Sequence, residues 1–505
     1  MKCLKHIAIG ITLMVLTASF VSCTAQVEAP KEIPNDTGYE LRSDYTEKYR
    51  PQYHYSSDQR GVGDPVGLYY KDGIYHMYWW GETLSSDLVY YAQQSPSNVL
   101  RGGHGAKFSG STIVDFNNSA GFGENTVITF CTLFTPEKET QAMFVSNDGG
   151  HSFEYVKTVI DENRPNQRDP DVFWYEEGQH WVMLTTNCPE EEVLIYTSEN
   201  LHDWTKQSVM YHDGAGNWSE CPNLFKARCG NEYKWMMLLS VGDDGMQQYA
   251  VGDFDGKTFV PTQPWKMVDK GADFYAMRMF RDFSGELTDA VAVSWVSTWL
   301  YSRRLPATWR GKGFWSIPRI MGLEKTAEGY DLVQQPWPGL EKLRGEVVRG
   351  RGRMKTGYVQ PEGFAPERNV YEIEMDFRFD ENDGPFGLDL CVGEGRRLPV
   401  RFDPATGIFT VDRTNCADVE IEKFPMVKSE KIATDGKNLQ MRIFVDQSSV
   451  EIFLQGGRHS FSFLTYPSEN QCGLEFYSEG KGPKCSYRIW PLDPSGINRI
   501  SLSDS

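Results

Sequence analysis

Four acids stand at the head of short strands. Asp64 precedes Pro65-Val66-Gly67-Leu68-Tyr69-Tyr70, Asp169 precedes Pro170-Asp171-Val172-Phe173, Glu220 precedes Cys221-Pro222-Asn223-Leu224-Phe225, and Asp273 precedes Phe274-Tyr275-Ala276. A carboxylate can serve as nucleophile, general acid or general base. Two of them flanking a glycosidic bond suffice for its hydrolysis: one attacks the anomeric carbon, and the other, with its pKa raised, protonates the leaving oxygen. The rest of the chain offers little competing chemistry. Its nine His show no H-x-x-x-H spacing with a nearby acid, and no two of the cysteines at 131, 188, 221, 229, 391, 416, 472 and 485 form a C-x-x-C pair. Neither a metal nor another cofactor is expected, and these eight cysteines read mostly as buried thiols rather than a disulfide framework.

The elements that must position those acids are strands. From about residue 49 to 340, helical periodicity is almost absent, and short β-branched and aromatic runs alternate with Gly, Asp and Asn turns. Lys71-Asp72-Gly73 separates two such runs as a hairpin turn. Three further pairs are expected: Phe173-Trp174-Tyr175 with His180–Leu184, Asn223–Ala227 with Tyr233–Leu239, and Met279-Phe280 with Ala290–Trp295. One unit repeating at blade-like intervals implies a β-propeller, whose innermost strands line a central channel. Equivalent positions on successive blades then converge, which would bring all four acids to one pocket mouth. The glycines at 61, 63 and 67 do not make a nucleotide loop, because Pro65 interrupts them and a strand follows.

At 505 residues and 40% hydrophobic content the chain can fill two domains. Trp337–Arg344 reads as a short helical linker, and residues 339–350 are assigned to it. Beyond it, Val370–Phe379, Leu439–Val445 and Ser449–Leu454 alternate apolar and polar residues, as half-buried strands of a β-sandwich do. The fold expected is all-β, with a propeller over 45–338 and a sandwich over 351–500. The formal net charge of -18 argues against nucleic-acid or anionic-membrane partners and favours a neutral or cationic one. Aromatic residues form 13% of the chain, most of them suited to sheet cores and a minority to stacking on sugar rings. At the N-terminus, Lys2 and Lys5 precede the apolar run Ile7–Phe20, and Val21-Ser22-Cys23 ends it. This pattern reads as a lipoprotein signal peptide over 1–23 with Cys23 lipidated, followed by a tether over 24–44. A periplasmic or cell-surface lipoprotein of a bacterial outer membrane is therefore expected.

These motifs together resemble glycoside hydrolase family 32, the invertases, inulinases and levanases. Gly63-Asp64-Pro65-Val66-Gly67 resembles a degenerate W-M-N-D-P-N-G motif, Phe108-Ser109-Gly110-Ser111 the F-S-G-S segment, Arg168-Asp169-Pro170 the R-D-P motif and Glu220-Cys221-Pro222 the E-C-P motif. Asp273-Phe274-Tyr275-Ala276, Trp309-Arg310-Gly311 with Ile317-Pro318-Arg319, and Asp446–Phe453 extend the likeness into the second domain. The resemblance implies a five-bladed propeller joined to a sandwich, and a retaining mechanism on β-fructosyl linkages of fructans or fructo-oligosaccharides. Under it, Asp64 would be the nucleophile, Glu220 the general acid/base, and Asp169 the carboxylate that grips fructose hydroxyls and stabilises the transition state. Arg168 would fix Asp169 and keep it ionised. Phe108, Ser109, Trp80, Asp273 and Trp299 would help bind substrate.

Departures from the family pattern concentrate around Asp64. Gly63 and Val66 stand where the family has sugar-binding asparagines, and Gly61-Val62 replaces Trp-Met. The connection between the first blade strand and the Trp80-Gly81 segment is also short, which suggests a missing pocket wall. A more open cleft would suit endo-acting cleavage of internal linkages, or a fructan-binding lipoprotein without turnover.

Overall fold

The first hairpin is built as its turn dictates. Val66–Lys71 and Ile74–Tyr78 pair antiparallel with Lys71 opposite Ile74. The two loop residues both have positive φ, 52° at Asp72 and 81° at Gly73, so the turn twists with its strands. The other three expected strand pairs also form antiparallel, with turns of their own. The computed structural model describes residues 45–57, 61–95, 98–212, 218–242, 246–306 and 313–493. The signal peptide, Cys23, the tether and Trp309-Arg310-Gly311 lie outside the described residues.

Five blades surround the channel. The first comprises Val66–Lys71, Ile74–Tyr78, Glu82–Ser85 and Ala92–Ser95, with Arg281–Asp282 added in parallel to its inner strand. The second runs Ala106–Asp115, Thr126–Phe134, Glu139–Val145 and Phe153–Arg164, and the third Gln167–Tyr175, His180–Asn187, Glu192–Ser198 and Thr205–Tyr211. Ser219–Cys229, Glu232–Val241, Met246–Phe254 and Phe259–Pro261 make the fourth. Tyr275–Met279, Ala290–Trp295, Arg319–Thr326 and Gly329–Pro336 make the fifth, joined to the fourth by a single parallel bridge, Arg228 to Gly322. Neighbouring blades cover both faces of each second strand, so a strand such as Thr126–Phe134, with Val127 through Leu133 all buried, reads as a largely apolar run. Each interface has its own core: Phe173, Leu184 and Ile195 meet Leu224, Met237 and Phe254 between the third and fourth blades, for example.

Side chains also latch blade to blade. The Val172 N–H donates to Ser111 Oγ (2.9 Å), the Leu224 N–H to Asp171 Oδ2 (3.0 Å) and the Met279 N–H to Asn223 Oδ1 (3.0 Å). Each bond satisfies an inner-strand amide that the next blade would otherwise leave unpaired.

After a 3-10 turn at Pro338–Leu343 the chain enters two six-stranded antiparallel sheets. Ile373, Met375 and Phe377 face inward against Leu439, Met441 and Ile443, while Glu374, Asp376 and Gln440 alternate outward, as the period-two pattern requires. The joint between the domains is charged and buried. His54 lies between Asp446 (Nδ1, 2.7 Å) and Glu451 (Nε2, 2.8 Å). Arg319 reaches Asp269 (3.0 Å), Glu451 (2.5 Å), Gln334 (2.8 Å) and Ser462 (2.7 Å).

Candidate active site

All five inner strands carry the same irregularity. Two residues oppose one at Val66/Tyr69, Lys107/Gly110, Arg168/Asp171, Glu220/Asn223 and Tyr275/Arg278. Such a bulge bends the strand and re-aims its side chains. In four of the five, the first bulged residue is left-handed: Gly67 (φ 59°), Asp169 (63°), Cys221 (51°) and Ala276 (53°). Gly67 has no alternative, because a Cβ there would meet Thr112 Oγ1 at 2.4 Å. Asp169 and Cys221 adopt this sparsely populated conformation with full side chains, a feature that collects at functional sites.

The bulges open one cavity of about 580 Å³. Asp64, Asp169 and Glu220 line it, with Arg168, Phe108, Ser109 and Trp299 around them. Ser109 Oγ donates to Asp64 Oδ2 (2.9 Å). Asp169 Oδ2 accepts the Cys221 N–H (3.0 Å), with the Cys221 thiol at 3.5 Å, and the Asp169 N–H donates to Thr132 Oγ1 (2.9 Å). Glu220 is held on both oxygens, by Arg168 Nη1 (2.8 Å) and by the Tyr275 hydroxyl (2.5 Å). Arg168 is fixed from behind by a two-point pair with Glu139 and lies 5.5 Å from the ring centres of both Phe108 and Trp218.

Around Asp64 the neighbouring carboxylates outweigh Arg278, and its titration reflects it. Burial, then the proximity of Asp169 and Glu220, pushes the Asp64 carboxyl up to about 7, against the Ser109 hydrogen bond. Burial and Glu220 also raise Asp169, with Arg168 acting the other way. Glu139, buried beneath Arg168, is pushed up to about 7. Asp64, Asp169 and Glu220 thus share one channel mouth, with the Asp64 carboxyl brought close to neutrality. Such a group can present a nucleophile and a proton donor to one bond.

Two expected site residues lie elsewhere. Asp273 does not reach the cavity. It is fully buried at the joint, bonded to Arg413 (2.5 Å) and to the Tyr301 hydroxyl (2.5 Å). The reason is register: Asp273 lies two residues before the bulge position that Glu220 occupies in its blade, and Tyr275 takes that position instead. Trp80 is also buried, and its indole N–H donates to the Phe108 carbonyl (2.9 Å), so it supports the wall from outside. Tyr275, Glu139, Trp218 and Tyr301 were not anticipated as site residues. Two of them have a readable signal: Tyr275 by its place in the motif that begins at Asp273, and Trp218 by its place two residues before Glu220 in the E-C-P segment.

Comparison with known proteins agrees with this architecture. The N-terminal domain of glycosyl hydrolases family 32 matches residues 54–336, and the C-terminal domain of the same family matches 339–491. The chain belongs to glycosyl hydrolases family 32. Within that family it is 32% identical to a levanase of Bacillus subtilis over 486 residues, covering 89% of this chain and 71% of that one. It is 29% identical to an extracellular exo-inulinase of Aspergillus awamori over 509 residues, covering 86% and 93%. A crystal structure of the Aspergillus awamori exo-inulinase superposes with a TM-score of 0.81 at 26% identity, covering 89% of this chain and 99% of that one. The chain is a family 32 glycosidase with the five-bladed propeller and C-terminal sandwich of its structural neighbours.

Proposed function

We propose that this family 32 glycosidase is a retaining β-fructofuranosidase that hydrolyses levan- or inulin-type fructans. The observation that carries the reading is the convergence of Asp64, Asp169 and Glu220 from three separate bulged strands on one cavity. Asp64 attacks the anomeric carbon of the fructosyl unit while Glu220 gives its proton to the glycosidic oxygen and that carbon–oxygen bond breaks. A fructosyl ester on Asp64 results. Glu220, now a carboxylate, takes a proton from water, whose oxygen attacks the same carbon and releases Asp64. Asp169, beside the reacting carbon, accepts hydroxyls of the sugar.

Phe108 and Trp299 supply ring faces for the sugar, and Ser109 orients Asp64. Gly63 leaves open space beside the nucleophile, where a Cβ would touch nothing within 4 Å. Incubation with levan, inulin and sucrose, followed by thin-layer chromatography, tests the reading. Free fructose from the start marks exo action, and a ladder of oligomers marks endo action. Binding of polysaccharide without any product would overturn the enzymatic assignment in favour of a fructan-binding lipoprotein. Polarimetry of the first turnover should show the β-anomer; an α product would exclude Asp64 as a covalent nucleophile.

The proposed location is a bacterial cell envelope, with the chain exported and tethered through a lipid on Cys23. The signal-like N-terminus supports this, and the exo-inulinase relatives are described as extracellular. Cys23→Ser should move the protein from the detergent phase to the aqueous phase in phase partitioning. An unmodified Cys23 in the mature wild-type protein would refute the anchor.

A further inference from the structure

One sheet face carries charge opposite to the rest of this acidic chain. On the outer face of the first sandwich sheet, Val348–Arg353, Lys484–Pro491, Tyr371–Arg378 and Asn438–Asp446 lie side by side. Their register aligns outward residues in rows. Arg353 and Arg378 are each directly opposite Lys484, from its two sides. In the next row Arg351 faces Ser486, which faces Asp376, and Asp376 faces Gln440. In the third, Arg349 faces Arg488, which is paired with Glu374.

Like charges directly opposite one another destabilise a sheet. Here three cations occupy one row. Arg353 has a long contact with Asp383 (3.4 Å), but among the described residues no carboxylate makes an ion pair with Arg349, Arg351, Arg378 or Lys484. The surface is hollow. Cavities of about 640 Å³ and 550 Å³ lie along these strands. Neutral hydrogen-bonding groups alternate with the cations: Ser486, Gln440 and Asn438 are all exposed. No large exposed hydrophobic side chain occurs on these four strands.

We infer that this groove is a binding site for an anionic polysaccharide, separate from the catalytic channel. The cations would pair with carboxylate or sulfate groups along the polymer, and the amides and hydroxyl would take sugar hydroxyls. The concave shape and the absence of an apolar residue to insert favour a hydrated polyanion over a lipid surface. Such a site would hold the enzyme to an acidic matrix while leaving the propeller mouth free for substrate.

Native electrophoresis at pH 7 through gels containing heparin or polygalacturonate tests this. Protein and polymer both carry net negative charge, so retardation reports a local cationic site. Wild-type protein should be retarded, and the effect should fade as salt shortens the screening length. The double variant Arg351→Glu, Lys484→Glu should bind at least tenfold more weakly, with its thermal unfolding midpoint and fructan hydrolysis unchanged. Equal mobility of the wild type with and without polymer would overturn the inference, as would undiminished retardation of the variant. Binding to phosphatidylglycerol vesicles with no response to either polysaccharide would reassign the groove to a membrane and equally overturn it.

Discussion

Two of the clusters of buried charge in this molecule, the mouth of the channel and the joint between the domains, are handled in opposite ways. At the joint, Asp446 and Glu451 share His54, Arg319 binds Asp269 and Glu451, and Arg413 binds Asp273. There Glu451 titrates below the usual carboxylate range despite burial, because Arg319 and His54 outweigh desolvation. At the channel mouth, Asp64 accepts from the Ser109 hydroxyl, with the Cys221 thiol at 4.0 Å, has two acidic neighbours, and is pushed up to about 7. The joint neutralises its charges and so holds the domains together. The channel mouth leaves Asp64 without a cation bonded to it among the described residues, and its carboxyl is raised accordingly.

Charge removal should therefore have opposite consequences in the two places. Glu220→Gln removes the proposed proton donor but keeps its shape; kcat on fructan should fall by about three orders of magnitude or more, with the fold retained by circular dichroism. A variant within tenfold of wild type would remove Glu220 from its role. Glu451→Gln leaves Arg319 and His54 without a shared counter-charge in a dry joint. It should cost about 3 kcal/mol or more of stability in urea titration, while turnover per folded molecule stays the same.

The two places should also differ in pH response. Burial by itself would lower the His54 pKa, but the hydrogen bonds its ring donates to Asp446 and Glu451 overrule it and raise it to about 9. A raised histidine contributes its full stability below pH 6.5, and that contribution is lost as pH rises through about 9. The unfolding midpoint should fall between pH 7 and 10, and His54→Asn should flatten that fall. A wild-type midpoint indifferent to pH in this window would show His54 to be neutral. The smallest effect is expected at the site. Ser109 favours the ionised form of Asp64, so Ser109→Ala should move the acid limb of kcat/KM to higher pH, by about half a unit to one unit. A shift downward would mean that Ser109 does not serve Asp64.

Sequence reading located the site better than the joint, for a physical reason. Hairpins are local, so Asp72-Gly73 and the alternation around it announce the blades, and Asp64, Asp169 and Glu220 are found by their place at strand starts. Asp273 misled because residue type was followed rather than register; the bulge that aims Glu220 inward aims Tyr275, not Asp273, in the last blade. Trp80 likewise carries no local sign that its indole turns toward the Phe108 carbonyl. The joint was illegible, since His54 and Glu451 lie 397 residues apart and only the folded chain brings them together.

The contrast comes to a point at Asp64. An acid whose pKa is raised by folding costs stability above its unfolded pKa, and the cost grows as pH rises from about 4 toward about 7. The measurement that bears most directly on this account is Asp64→Asn at pH 8, assayed for both fructan turnover and thermal unfolding. Turnover should vanish while stability increases by about 1–2 kcal/mol, the open pocket's water having screened part of the penalty. Persistent turnover, or a variant less stable than wild type, would contradict the assignment of this unpaired carboxylate as the catalytic nucleophile.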